Sequence, residues 1–393
     1  MKILFAVIPE KGHINPYIGP ALRLQQRGHT VAFYARFDIT GQLDRAGIHG
    51  FLGGRDKPPP PSANRGAEFA EKVRDRDTLR GWIRELIVDE VPDQVQSLAA
   101  VVARWCPDVV VADPMVYAAA IVAEREGIPW AAVSNSLNPI LPDDVESELL
   151  DTVRTFEGDR RALFEQYGVP VSFRGCDALS PHLTIAFTTR DFVGRDVPGV
   201  CMVGPSLPPR DRGDEPDFPW ALLRDDCPIV YMSFGSQIYY QPRMFQTVIN
   251  ATADLGVQLV LAAGELVETD ELDLHDHVLA VRYTPQLQLL PRTSLLITHG
   301  GANSVMEALH FGVPMLISPL CNDQFHQARF IKESGVGIRL DLATATAETC
   351  RRALEKLLRP GAFRENAARI AVSYRADGSS RAAGLIEQLE PPP

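Results

Sequence analysis

The stretch LLITHGGANSVMEALHFGVPMLISPLCNDQFHQ, residues 295–327, ends an apolar run in His299, Gly300 and Gly301 and passes at once into helical spacing. Glycines allow a tight turn and close approach of the backbone. Asn303 and Ser304 are good N-cap types, and a helix start offers unpaired N–H groups with about half a positive charge. That combination suits a phosphate, with His299 as a further donor beside it. Glu307, one turn into the helix, is placed to accept from ribose hydroxyls. A second apolar run, VPMLISPL, ends in Asn322, Asp323 and Gln324, whose side chains can hold sugar hydroxyls through paired hydrogen bonds. Taken alone, a Gly-Gly-Ala-Asn turn also serves as a plain turn, and His299 as a strand cap. The neighbours add weight. SFGS (233–236) ends another strand in Gly235 and Ser236, and YTPQ (283–286) brings the Tyr283 ring and the Gln286 amide.

The N-terminal half holds two more residues of interest. His13 lies in PEKGHINP, directly after the apolar ILFAVI, and Asp113 ends the apolar VVVADP. Parallel strands present their carboxyl ends to one cleft, so the two side chains could meet there. A histidine beside glycine and an aspartate at a strand end are equally compatible with turn and cap roles.

The elements that must position these residues alternate. ILFAVI (3–8), TVAFYAR (30–36), PDVVVADP (107–114) and PWAAVSNS (129–136) are continuous apolar runs of strand length, as in parallel strands buried on both faces. Helical spacing in YIGPALRLQQRG ends at Gly28, a natural C-cap, and AAAIVAEREG is helical too. DKPPPPSANRG (56–66) reads as an exposed polyproline loop. From Gly204 to Trp220 five prolines and six charges mark a connector. Alternation then restarts with PIVYMSFGS, PRMFQTVINATADLG, VQLVLAAG, HVLAVRYTP and SLLITHGG. The expected fold class is α/β: two doubly wound parallel-sheet domains, 1–207 and 221–393, joined by a Pro-rich linker at 208–220. The last helix is free to pack back on the first domain.

The whole chain narrows the function classes. Its 393 residues suit two domains, and 45% apolar with 23% charged residues is a globular composition. A net charge of −11 argues against nucleic acid or an anionic membrane as partner. Six scattered cysteines without a C-x-x-C pair indicate reduced buried thiols, not a zinc framework or disulfide scaffold. The apolar start is too short for most signal-peptide cores, and no run reaches membrane-spanning length. A soluble, cytoplasmic protein is expected; oligomeric state is unreadable.

From Tyr283 to Gln327 the order and spacing resemble the nucleotide-sugar signature of the glycosyltransferase family that includes plant UDP-glycosyltransferases and bacterial macrolide and antibiotic glycosyltransferases. Met1–Gly28 and Pro107–Ser136 resemble that family's acceptor domain, so the resemblance spans the chain. It implies the GT-B arrangement, twin Rossmann-like lobes with the donor in the C-terminal one, no metal and no other cofactor. By position, Tyr283 stands where plant members have the tryptophan that stacks on uracil, and Gln286 matches the glutamine near base and ribose. His299 and Gly301 match the pyrophosphate contacts, with Asn303 and Ser304 beside them. Glu307 matches the ribose-binding glutamate, Asp323 and Gln324 the pair that holds the sugar's hydroxyls, and Ser236 the small residue of the FGS loop. His13 matches the base that deprotonates the acceptor, and Asp113 the carboxylate that orients it. The chemistry suits those types, because imidazole is a natural base near neutrality and a buried carboxylate fixes its tautomer.

Two departures stand out. Tyr283 in place of tryptophan leaves uracil or thymine open, and HGGANS in place of HCGWNS widens the space beside the phosphates. The resemblance implies inverting, metal-independent transfer from a nucleotide-sugar co-substrate, a UDP-sugar ahead of a TDP-sugar, with glucose favoured by Asp323-Gln324. The expected acceptor is a hydrophobic hydroxylated natural product, held by loops within 57–90 and after Ser134. Met115, Tyr117 and Asn135 are candidate liners, with core or surface roles equally open. Three rival readings remain. An epimerase of the same architecture would convert donor alone, a Rossmann oxidoreductase would need a G-x-G-x-x-G turn absent after the first strand, and a non-catalytic auxiliary relative could lose His13 and Asp113.

Overall fold

A computed structural model of the chain describes residues 1–54, 65–213, 215, 217–238 and 240–389. The residues of the anticipated polyproline loop up to 64 lie outside this description. Eight strands form the first half: β1 (Lys2–Ala6), β2 (Thr30–Tyr34), β3 (Val109–Ala112), β4 (Trp130–Ser134), β5 (Ser172–Arg174), β6 (Asp177–Leu179), β7 (Leu183–Ala186) and β8 (Cys201–Met202). Six follow: β9 (Ile229–Ser233), β10 (Gln258–Ala262), β11 (Val278–Val281), β12 (Thr293–Thr298), β13 (Met315–Ile317) and β14 (Gly337–Arg339). Two six-stranded sheets result, ordered β2-β1-β3-β4-β7-β8 and β11-β10-β9-β12-β13-β14, with parallel pairing throughout. β5 and β6 make a separate antiparallel hairpin. The fold is the doubly wound α/β architecture expected, in two lobes.

Burial on both faces explains the unbroken apolar strands. In β1, Ile3 and Phe5 face one core while Leu4 and Ala6 face another. In β9, Ile229 and Tyr231 join the same core as Ile3, whereas Val230 and Met232 pack on the far side. One apolar layer therefore runs from lobe to lobe. The last helix, Gly378–Ile386, closes it by packing on the Lys11–Gln26 helix so tightly that a Cβ on Gly19 would sit 2.1 Å from Ser379 Oγ.

The strand orders fix where a site can form. The chain leaves β1 to one side for β2 and to the other for β3, and likewise leaves β9 for β10 and β12. Each sheet thus has a switch point, where the loops diverge and open a crevice at the carboxyl ends. His13 and Asp113 follow β1 and β3; Ser236 and His299 follow β9 and β12.

The first helix begins at Lys11, so the turn expected through PEKGHINP is mostly its opening turn. Pro16 and Pro20 lie inside it. Proline has no N–H for the carbonyl four residues earlier, which frees the Gly12 and Pro16 carbonyls. Both are used: Gly12 accepts from the Asn135 and Asn303 amides at 2.8 and 2.9 Å, and Pro16 from the Ser206 hydroxyl. Strands β7, β8 and β14 were not anticipated: they are two to four residues long and, unlike the equally short β3 and β13, are not embedded in a longer continuous apolar run. The six cysteines are free, but only Cys176, Cys321 and Cys350 are buried, which corrects the expectation of uniformly buried thiols. Among the described residues no helix is long and apolar enough to cross a membrane.

Candidate active site

A cavity of about 590 Å³ lies between the lobes, lined from both switch points and from the connector. On the N-terminal wall, His13 Nδ1 stands 2.6 Å from Asp113 Oδ2. Asp113 is 1% exposed, and its other oxygen accepts from the Met115 amide at 3.1 Å. In the neutral ring, with Nδ1–H donating to the carboxylate, Nε2 is the acceptor. Burial disfavours the imidazolium, but the charge and hydrogen bond of Asp113, helped by Glu10 and Asp323, outweigh it and bring the His13 pKa up to about 9.

Across the cavity the Ala302–Phe311 helix starts with Gly301 as its N-cap. The expectation that Asn303 or Ser304 caps it is corrected, since both lie inside the first turn and no side chain caps the helix. Asn303 instead spans the cleft to Gly12. His299 is held edgewise between two glycines: a Cβ on Gly235 would meet its Cε1 at 2.9 Å, and one on Gly301 its Nε2 at 2.7 Å. Burial lowers its pKa to about 4, so the ring is neutral near pH 7.

A chain of hydrogen bonds orders the next layer. Tyr231 donates to Gln286 Oε1 at 3.1 Å and meets Thr284 Oγ1 at 2.5 Å. The Gln286 amide donates to Glu307 Oε2 at 2.6 Å and reaches Ser304 Oγ at 3.3 Å. The other oxygen of Glu307 takes a hydrogen bond from Arg212. Tyr283 faces Lys11 of the opposite lobe, whose ammonium lies 4.5 Å from the ring centroid. Ser236 is exposed on the rim. Asn322, at φ 53°, turns the loop before Asp323, whose pKa burial raises and His13 opposes. Gln324 Oε1 accepts from the Leu320 and Cys321 amides at 2.8 and 3.1 Å, so its carbonyl shapes the loop.

The cavity thus gathers His13, Asp113, Ser236, Tyr283, Gln286, His299, Gly301, Asn303, Ser304, Glu307, Asp323 and Gln324. Met115 and Asn135 line it as well. Tyr117 does not: fully buried, it donates to the Cys176 carbonyl at 2.7 Å and packs on Phe164 and Phe173. Of the candidate acceptor loops, Trp82, Ile83 and Leu86 reach the cavity, while residues 57–64 lie outside the described chain. Among the described residues no group of three His, Cys, Asp or Glu could hold a metal ion.

Sequence reasoning missed two groups. Asp177 of β6, 1% exposed, accepts from Ser134 at 2.5 Å and Asn138 at 2.8 Å; burial pushes it up to about 7. Its hairpin gives no periodic signal. Arg212 and Glu215 line the cavity from the connector, where charges beside prolines read as solvated.

Residues 225–377 match the family model for UDP-glucoronosyl and UDP-glucosyl transferase. The chain is 27% identical to 4'-demethylrebeccamycin synthase of Lentzea aerocolonigenes, over 99% of each chain. Its fold is similar to the glycotransferase of kitacinnamycin, with a TM-score of 0.74, 24% identity and 99% of each chain covered. It is also similar to the spinosyn rhamnosyltransferase SpnG complexed with thymidine diphosphate, with a TM-score of 0.72, 19% identity, and 98% and 100% of the two chains covered. Two facing parallel-sheet lobes give the chain the fold of these glycosyltransferase structures, its second lobe matches the UDP-glucoronosyl and UDP-glucosyl transferase model, and it is similar from end to end to 4'-demethylrebeccamycin synthase.

Proposed function

We propose that the chain moves a sugar, glucose in the first instance, from a nucleoside-diphosphate sugar to a hydroxyl of a hydrophobic small-molecule natural product, with inversion and without a metal. Residues 1–207 would hold the acceptor and 221–393 the donor, with 208–220 between them. The observation that carries this reading is the His13–Asp113 pair facing an uncapped helix start across one cavity.

In the proposed step, His13 Nε2 takes the acceptor's proton as the oxygen attacks the anomeric carbon. The bond from that carbon to the phosphate oxygen breaks, and its electron pair leaves with the diphosphate on the opposite face. Asp113 stabilises the imidazolium. The N–H groups of the first turn of the Ala302–Phe311 helix, with Ser304 and Ser236, stabilise the growing negative charge. His299, neutral at working pH, adds a dipole. Asp323 and Gln324 lie between these walls, where the transferred sugar would sit, with Met115 and Asn135 on the acceptor side.

Uridine and thymidine diphosphates both fit this scheme; a structural relative carries thymidine diphosphate, and the family description names UDP-sugars. No other cofactor is needed. Six free thiols suit a cytoplasmic setting. An epimerase would have no use for a base aimed at an acceptor, and a non-catalytic relative no need to keep His13 paired.

The test is a mass-spectrometric screen of UDP- and TDP-sugars against hydroxylated aromatic, macrolide and terpenoid acceptors, with H13A and an EDTA arm. Acceptor-dependent product of opposite anomeric configuration, lost in H13A and retained in EDTA, supports the reading. Donor conversion without acceptor, or rescue of an EDTA-inhibited enzyme by a divalent ion, would refute the corresponding part.

A further inference from the structure

Glu307 is 0% exposed, and such a carboxylate is costly unless a partner shares its burial. That partner comes from neither sheet. Arg212, itself 8% exposed, reaches Glu307 from the connector. The connector is fastened to the first lobe. Arg210 donates to the Ala46 carbonyl at 2.9 Å, and Gly213, at φ +77°, lies so close to Arg45 that a Cβ would sit 2.2 Å from its carbonyl oxygen. Glu215 then stiffens the turn, its two oxygens accepting from the Arg212 and Gly213 amides at 2.7 Å each. The guanidinium is therefore positioned by the first lobe and acts on a carboxylate of the second.

We propose that Arg212 is a positioning residue of the donor site: from a connector anchored on the first lobe it holds the Glu307 carboxylate in one orientation for the hydroxyls of a nucleoside diphosphate. This rests on the reading of Glu307 as a nucleoside contact. With Gln286 donating to one oxygen and Arg212 to the other, the carboxylate is held from two sides at the cavity wall. A planar guanidinium suits this task better than a flexible ammonium. Because its anchor is on the first lobe, nucleotide affinity also depends on how the lobes stand relative to each other.

The experiment measures UDP and dTDP binding by calorimetry, and donor KM and kcat, on full-length wild type, R212M, R212K, E307Q and R212M/E307Q. R212M is expected to weaken both nucleotides about tenfold or more, as when one partner of a buried pair is removed. Donor KM should rise in step while kcat at saturating donor stays within about threefold, the mark of lost ground-state binding. R212K should recover part of the affinity, and the double variant should lose less than the sum of its parts, since the two groups act as one. R212Q takes the place of R212M if that variant does not fold. Wild-type affinity in R212M, or a lowered melting temperature with affinity intact, overturns the inference and leaves Arg212 a brace between lobes. A wild type that binds neither nucleotide overturns the donor-site reading itself, and this inference with it.

Discussion

The side-chain amide of Asn303, on the donor-side helix, donates across the cleft to the carbonyl oxygen of Gly12, 2.9 Å away and one residue before His13. The bond exists because Pro16 cannot supply the helical N–H that this carbonyl would otherwise accept. It ties the turn that carries the proposed base to the helix start proposed to face the diphosphate. P16A restores a competing backbone donor, and N303A removes the cross-lobe one. Both are expected to lower kcat/KM about three- to tenfold, a loss of roughly 0.6–1.4 kcal/mol typical of one hydrogen bond. P16A should do so without lowering the melting temperature. Steady-state kinetics beside thermal unfolding check this, and an unchanged kcat/KM in both variants would remove any role for the latch.

The His13–Asp113 pair leads to a pH prediction with a definite sign. A base must be neutral to accept a proton, and His13 at about 9 is charged below that pH. In the wild type, kcat/KM should therefore climb from pH 7, reach half its maximum near 9 and level off only above it. D113N removes the charge that outweighs burial, so the limb should move to lower pH while the plateau falls. H13A should lose ~10²–10⁴-fold at every pH, the usual range for a general base. A wild-type profile flat from pH 7 to 9 would disconnect this histidine from the rate.

How much of this was legible depends on whether a residue's partner is near in sequence or supplied by topology. His13, Asp113, Ser236 and His299 each follow a continuous apolar run, so pattern alone placed them at carboxyl ends. The Asn303–Gly12 bond was hidden because it joins positions almost three hundred residues apart. The Glu307–Arg212 pair was hidden because a charged residue among prolines carries the same pattern whether solvated or buried. Tyr117 misled for the converse reason: three residues beyond a correctly placed loop, its helix already turns it into the core beside Phe164. Strands as short as β8 leave no periodicity to read.

Asp177 predicts a pH dependence of stability rather than of rate. Its carboxyl titrates near 7 in the folded chain, raised by burial despite hydrogen bonds from Asn138 and Ser134, with Asp113 and Asp323 adding to the rise. The unfolded chain releases this proton near 4. Between those values the unfolded state holds fewer protons, so this group costs stability as pH rises from about 4 to 7 and adds no further cost above. D177N lacks that dependence. Relative to wild type it should gain on the order of 1–3 kcal/mol between pH 5 and pH 8, measured by urea unfolding at both pH values. Parallel curves for the two proteins would show that the carboxyl is already ionised at pH 5.

Gly301 offers a steric test of His299 with little backbone penalty. Its φ of −59° is open to any residue, so G301A strains no dihedral. The added methyl would stand 2.7 Å from His299 Nε2, closer than real contacts allow, and Gly235 closes the other side of the ring. The imidazole must tilt, carrying its N–H dipole away from the mouth of the Ala302–Phe311 helix. If that dipole stabilises the leaving diphosphate, kcat should fall ~10- to 10³-fold, as when one preorganised donor is withdrawn from a developing charge. Nucleoside affinity should change less, because Gln286 and Glu307 lie farther along the cavity wall. H299A in the same background should add little, since the ring is already displaced. Equal kcat for G301A and wild type, with the melting temperature unchanged, would mean that the histidine is enclosed for packing and the helix start does this work unaided.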